Sequence, residues 1–184
     1  MSRNVRRIIS RLREQSGSML IELLIAMTFL AIAVGALVSV YGTTIVTLRH
    51  ASIEGNALTL ADKQMETFKT VAYTGLAINT GTIPSGSDKY VTSPPTNLTP
   101  AQQAAITSGQ VGSGTVPAAQ TVTGPDNRTY RIDTYVFKTS PGSGYEEYVQ
   151  ITVGVRSVSG GVVGPIRAQS TSAFHSASTH APPS

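Results

Sequence analysis

Few residues in this 184-residue chain have the types and spacing that catalysis needs. Of the three histidines, His50 lies just past the longest apolar run and His175 and His180 lie in the polar C-terminal tail, so none falls within an expected sheet core. No G-x-S-x-G, H-E-x-x-H or phosphate-loop pattern occurs. The chain has no cysteine, which excludes disulfides, thiolate metal ligands, cysteine nucleophiles and acylation on sulfur. Asp126 and Asp133 could join a cation site, since carboxylates and loop carbonyls suit calcium; a turn acid and a solvated strand acid are the simpler expectation. The expectation is therefore no enzyme, no cofactor and no resident metal.

One ionisable residue stands where a charge is costly. Glu22 opens a run in which residues 23–48 carry no charge at all. That run exceeds the roughly 20 apolar residues that cross about 30 Å of hydrocarbon as a helix, so it reads as a membrane span. A carboxylate left unpaired in such a segment costs about 2.5–3.5 kcal/mol or more, and intramembrane acids usually mark function. Glu22 at the interface, reaching water, is the bland alternative. Its spacing is informative: Gly17 precedes it by five residues, so a cut after Gly17 makes Glu22 the fifth residue of the shortened chain.

Charge is uneven along the sequence. The formal net charge is +4, and residues 1–17, with Arg3, Arg6, Arg7, Arg11 and Arg13 against Glu14, already hold all of it. The remainder is neutral and lacks the clustered basic surface that binds phosphate backbones, so nucleic acid is not an expected partner. Five arginines before the span place the N-terminus in the cytoplasm by the positive-inside bias, and the rest of the chain outside it. Two plainer readings compete. An ordinary secretory signal could be cut after Ala31 and Ala33, although the apolar run continues through Val34, Leu37, Val38 and Val40. An uncleaved anchor is the other, and neither accounts for Glu22.

The basic leader, Gly17, the apolar start at Leu20 and Ile21, and Glu22 followed by Leu23 and Leu24 together resemble the N-terminal signature of type IV pilins and type II secretion pseudopilins. That resemblance implies a leader of residues 1–17 removed by a prepilin peptidase after Gly17, and methylation of the new amine on Ser18. It also implies docking of Glu22 against the N-terminal ammonium of a neighbouring subunit. The family usually has phenylalanine where Ser18 stands, and major pilins tend to carry a later helix proline, of which residues 18–83 have none. Together with the missing cysteines this favours a minor pilin or pseudopilin. Implied partners are the peptidase, other pilins, an assembly platform with its ATPase, and membrane lipid.

The elements that must position these residues follow from periodicity. The span, residues 18–48, should continue as an amphipathic helix over residues 49–74. There Leu58, Ala61, Met65, Phe68 and Ala72 recur at helical spacing, while Asp62, Lys63, Glu66 and Lys69 lie elsewhere on the wheel. Residues 75–127 are rich in Gly, Thr, Ser, Pro and Asn and read as a loop-rich connector. One short helix is expected within it, capped by Thr99 and started by Pro100. Residues 128–174 should form an antiparallel head of three strands, near 129–137, 145–155 and 162–174, with a connection at residues 140–144. In the second strand Val149, Ile151, Val153 and Val155 share one face, which should pack on the helix, leaving Gln150, Thr152 and Arg156 towards solvent. Residues 175–184 read as a disordered tail.

The expected fold class is thus α+β, a long N-terminal helix packed on a small antiparallel sheet. Two functions are carried forward. One is a filament subunit of a type IV pilus or of a secretion or DNA-uptake pseudopilus. The other is a membrane-anchored, adhesin-like binding module with no filament role.

Overall fold

A computed structural model describes residues 3–107, 110–139 and 147–175, with residues 3–18 as backbone alone. It divides into two compact units, Met1–His50 and Ala51–Ser184. Helix α1, Arg3–Lys69, contributes to both.

In the first unit every side chain from residue 19 to 50 is exposed, including Met19, Leu20, Phe29, Leu37 and Leu48. A helix apolar on all sides has no water-facing stripe, so its surface suits lipid or the interior of a bundle. The helix is long and apolar enough to cross a membrane, with a mean hydropathy of 2.6 in its most apolar window. Its threonine hydroxyls are satisfied locally. Thr28, Thr44 and Thr47 donate to the carbonyls of Leu24, Val40 and Thr43 at 2.8, 2.8 and 2.7 Å, so they carry no unpaired polar group into an apolar medium.

The second unit begins with the last turns of α1. Ala57, Ala61, Met65 and Phe68 are buried there, flanked by half-buried Ile53 and Leu60. The expected stripe is therefore corrected at both ends. Leu58 is 48 % exposed, because Ala57, about 100° away around the helix, takes the inward position. Ala72 is exposed and lies beyond the helix. The helix stops at Lys69, short of residue 74. Thr70 turns its hydroxyl back to the Thr67 carbonyl at 2.8 Å, and Val71 N–H closes on the Phe68 carbonyl at 3.2 Å. A 3-10 turn, Tyr73–Gly75, follows.

The connector is more structured than its composition suggests. Strand β1, Ile78–Asn79, leads into a 3-10 turn, Thr80–Thr82, and then to helices α2, Lys89–Thr92, and α3, Pro100–Ala104. Strand β2, Val116–Pro117, pairs in parallel with β1. Helix α3 has the expected cap. Thr99 accepts from Gln102 N–H at 3.3 Å, Gln102 Oε1 accepts from Thr99 N–H at 2.9 Å, and Pro100 opens the first turn. Leu76, Ile78, Tyr90, Leu98, Ile106 and Ala118 of this segment all enter the core.

The head sheet has four strands in the order β3-β4-β5-β6, all antiparallel: Ala119–Thr123, Thr129–Thr139, Tyr148–Ser159 and Val162–His175. Strand β3 is an addition to the three expected. Its five residues contain one large apolar side chain, Val122, too little for a strand signal; the hairpin to β4 decides it. Gly124 N–H closes on the Arg128 carbonyl at 2.8 Å, and Asn127 takes φ 58°, a left-handed value asparagine tolerates. The expected tail is corrected at its first residue, since His175 ends β6 opposite Tyr148. Its remainder, residues 176–184, and the connection at 140–144 lie outside the described residues.

The two central strands, β4 and β5, are covered on both faces. Val149, Ile151, Val153 and Val155 share the face of Ile132, Thr134 and Val136 and are buried, as their period of two requires. Gln120 lies on that face opposite Ile132 and donates to Gln64 of α1 at 2.8 Å, which identifies it as the helix side. The opposite face was expected to meet solvent, and it does not. Thr152 and Arg156 are fully buried and Gln150 is half-buried, because the connector lies over them. Tyr90 of α2 stacks on Tyr135 with ring centres 4.3 Å apart and donates to the Thr134 carbonyl at 2.8 Å. Gln102 of α3 donates to Gln150 at 3.0 Å.

Candidate functional site

The sequence singled out Gly17, Ser18 and Glu22, and all three lie in the first unit, on α1. Gly17 and Ser18 belong to its helical backbone, and their side chains lie outside the described set. Glu22 is exposed, about 6 Å along the axis from Ser18 at 1.5 Å rise per residue. Exposed Leu20, Ile21, Leu23, Leu24 and Ile25 surround it in sequence, so the carboxylate stands on an apolar surface. Among described residues no hydrogen bond or ion pair involves Glu22. An ionised carboxylate in that setting is tolerated in water or beside a cation, and is penalised in hydrocarbon alone. The Gly17–Ser18 peptide sits within helical backbone, where the carbonyl is engaged by the helix ladder, so cleavage there requires local unwinding.

A second cluster lies in the second unit, and sequence reasoning missed it. Asp133, fully buried on β4, accepts from Arg131 Nε at 2.8 Å and from Arg156 Nε at 2.7 Å. Arg131 reaches on to Asp88, the cap of α2, through Nη1 at 2.9 Å and through Nη2. Arg156 donates through Nη2 to the carbonyls of Ser93 and Lys89, the latter at 3.2 Å. The register explains the meeting: Arg131 faces Arg156 across β4 and β5, and Asp133 follows Arg131 by two residues on the same face. The Arg131–Asp133 spacing was a usable sequence signal, since i and i+2 share a strand face; Arg156 and Asp88 gave none.

The electrostatics of this cluster balance. Arg131, donating to Asp88, holds that carboxyl below the usual range. Burial pushes Asp133 up, opposed by the two guanidiniums that donate to it. Burial also raises Tyr90 and Tyr135, whose hydroxyls stay protonated and donate to backbone carbonyls. Two aspartates and two arginines satisfy one another, leaving Arg156 Nη1 as a buried donor with no partner among the described atoms. The cluster offers no free nucleophile or base; its evident work is to fasten α2 and residues 88–93 onto the sheet.

The other candidates resolve in the same way. Asp133 is not the solvated strand acid expected. Asp126 is a turn acid, accepting from Tyr130 Oη at 2.8 Å and from Arg128 N–H at 3.3 Å. Burial, with that bond second, pushes the Tyr130 hydroxyl up to about 12. Among the described residues no group of three or more His, Asp or Glu could hold a metal ion. His50 is exposed on α1, His175 lies tilted against Tyr148 with ring centres 5.7 Å apart, and His180 lies outside the described residues. Comparison with protein-family models, with curated proteins and with solved structures gives no match.

Proposed function

We propose that this chain is the precursor of a minor pilin or pseudopilin. A prepilin peptidase cuts after Gly17 at the cytoplasmic face, Ser18 becomes the methylated N-terminus, and the mature chain joins a type IV pilus or a secretion or DNA-uptake pseudopilus through a platform and its ATPase. The observation that carries this reading is Glu22: one carboxylate, five residues beyond Gly17, on a helix whose surface over residues 19–48 is otherwise uncharged.

The physical logic is a change of surroundings. In the bilayer the apolar helix is solvated by lipid and Glu22 stays near the interface. In a filament the same surface is solvated by neighbouring helices, and Glu22 needs a cation. The ammonium of a chain beginning at Ser18 is that cation. A matched pair in low dielectric is tolerated, whereas either charge alone is heavily penalised, so register between subunits follows from the pairing. The leader arginines support an N-terminus in the cytoplasm and a single pass through the inner membrane, with the head exported. A membrane-anchored binding module without a filament role accommodates Glu22 only as an interfacial acid and gives its spacing from Gly17 no purpose.

The test is mass spectrometry of the N-terminal peptide from cells that contain the peptidase. The expected mature chain starts at Ser18 with an added methyl group. A start at Val34 would establish ordinary signal cleavage, and a retained leader would establish an uncleaved anchor; either overturns the proposal.

A further inference from the structure

The leader carries a second pattern besides its charge. Its backbone is helical from Arg3 onward, continuous with the span. At about 100° per residue, Val5, Ile8, Ile9 and Leu12 fall within an arc of about 100°, and Arg3, Arg6, Arg7, Arg11 and Arg13 all fall outside it, within about 160°. An apolar arc set against an arginine-rich one is the pattern of a helix that lies in the interface of a membrane, apolar arc towards the acyl chains and basic arc among headgroups. A merely topogenic leader needs the arginines but not the segregation.

We infer that the leader is an amphipathic helix that docks on the anionic phospholipid surface of the cytoplasmic leaflet. Charge complementarity selects the occupant: five arginines and one glutamate in residues 3–14 match an anionic headgroup layer, to which juxtamembrane basic residues are attracted. Docking in the membrane plane requires a bend between leader and span, and the sequence places its weakest helical residues there. Ser16, Gly17 and Ser18 are consecutive, and glycine and serine pairs are among the recognised sites of helix kinks. The bend then coincides with the Gly17–Ser18 peptide. The docked leader thus holds that peptide at the headgroup level with its helical ladder opened, in reach of a membrane-embedded peptidase. This inference rests on the span reading of residues 23–48 and deepens the proposed processing at Gly17, but its test needs neither peptidase nor filament.

Because the chain has no cysteine, single labelling sites are clean. Full-length precursor bearing Val5→Cys, Leu12→Cys, Ser10→Cys or Glu14→Cys, each labelled with a polarity-sensitive fluorophore, is reconstituted in vesicles of phosphatidylcholine with phosphatidylglycerol. Quenching by a nitroxide on the lipid chain is compared with quenching by iodide present on both sides. Labels at positions 5 and 12 should be quenched mainly by lipid and those at 10 and 14 mainly by iodide. In pure phosphatidylcholine the contrast should be lost, as it should when Ile8 and Ile9 are both changed to glutamate. Equal iodide quenching at all four positions in anionic vesicles would overturn the inference. The same contrast in pure phosphatidylcholine would overturn the role given to the arginines. A Leu30→Cys label separates the two levels: lipid quenching there with a solvated leader refutes docking alone, whereas iodide quenching there refutes the span and the proposed function with it.

Discussion

Replacing Asp133 by alanine should unfold the head far more readily than any surface change. Asp133 and Arg156 have no exposed side-chain surface and Arg131 retains 8 %, so removal of the carboxylate leaves two guanidiniums facing each other with one half-exposed partner, Asp88. Breaking a buried pair from one side costs about 3–5 kcal/mol, a large share of the roughly 5–15 kcal/mol that stabilises an ordinary domain. The midpoint of thermal unfolding should fall by on the order of 10 °C or more. Asp88→Ala removes a carboxylate with 29 % of its side chain exposed, and solvent screening limits its ion-pair share to about 0–1 kcal/mol. Near-ultraviolet circular dichroism follows this in the full chain in detergent, because the chain has seven tyrosines and no tryptophan and Tyr90 and Tyr135 stack beside the cluster. Exchanging Arg131 and Arg156 for methionine and Asp133 for leucine together should recover most of the loss, since no fully buried charge is then left to desolvate and Asp88, with 29 % of its side chain exposed, keeps its contact with water. An Asp133→Ala cost no larger than that of Asp88→Ala would refute the claim that the buried charges fasten the connector.

Three further outcomes follow from the same structure. Glu22→Leu should leave cleavage after Gly17 intact but reduce recovery in filaments, scored by fractionation and blotting; wild-type filament association would remove the pairing role. Phe68→Ala should destabilise the head by about 3–5 kcal/mol, read by urea unfolding, whereas Leu58→Ala, at a site 48 % exposed, should cost well under half of that. For Asp88, whose carboxyl is held below its ordinary value of 3.8 by Arg131, the stabilising contribution is complete above that value and is lost as pH falls through the lowered one. Wild type and Asp88→Asn should therefore converge in stability only in strong acid, and a gap that closes near neutrality would contradict the assignment.

Much of the local architecture was legible from the chain. The uncharged stretch of residues 23–48 needs only a count of charges to be read as a span, and α1 shows it exposed along its apolar length. The Thr99 cap and the Pro100 start appear as expected, because capping is settled within four residues, and Gln102 adds the reciprocal half of a capping box. The seam through Ala61, Met65 and Phe68 and the Val149 to Val155 face follow from helical and strand periods. The seam's phase was harder: Ala57 and Leu58 are both apolar, and choosing between them requires knowing where the sheet lies.

Arg156 marks the boundary between the two kinds of knowledge. By alternation it belongs on the face opposite Val153 and Val155, and that much is correct. Alternation fixes a face but not what covers it. Burial of Arg156 depends on Lys89 and Ser93, more than sixty residues earlier, and on Asp133 across the hairpin. The connector looked loop-like because its pairings are short and non-local, as in the two-residue β1 and β2 and in Tyr90 on Tyr135. Helical period, strand alternation and capping act over a few residues and can be read in order along the chain. A buried ion pair, a five-residue strand and the choice of covered face depend on segments meeting in space, so packing alone decided them.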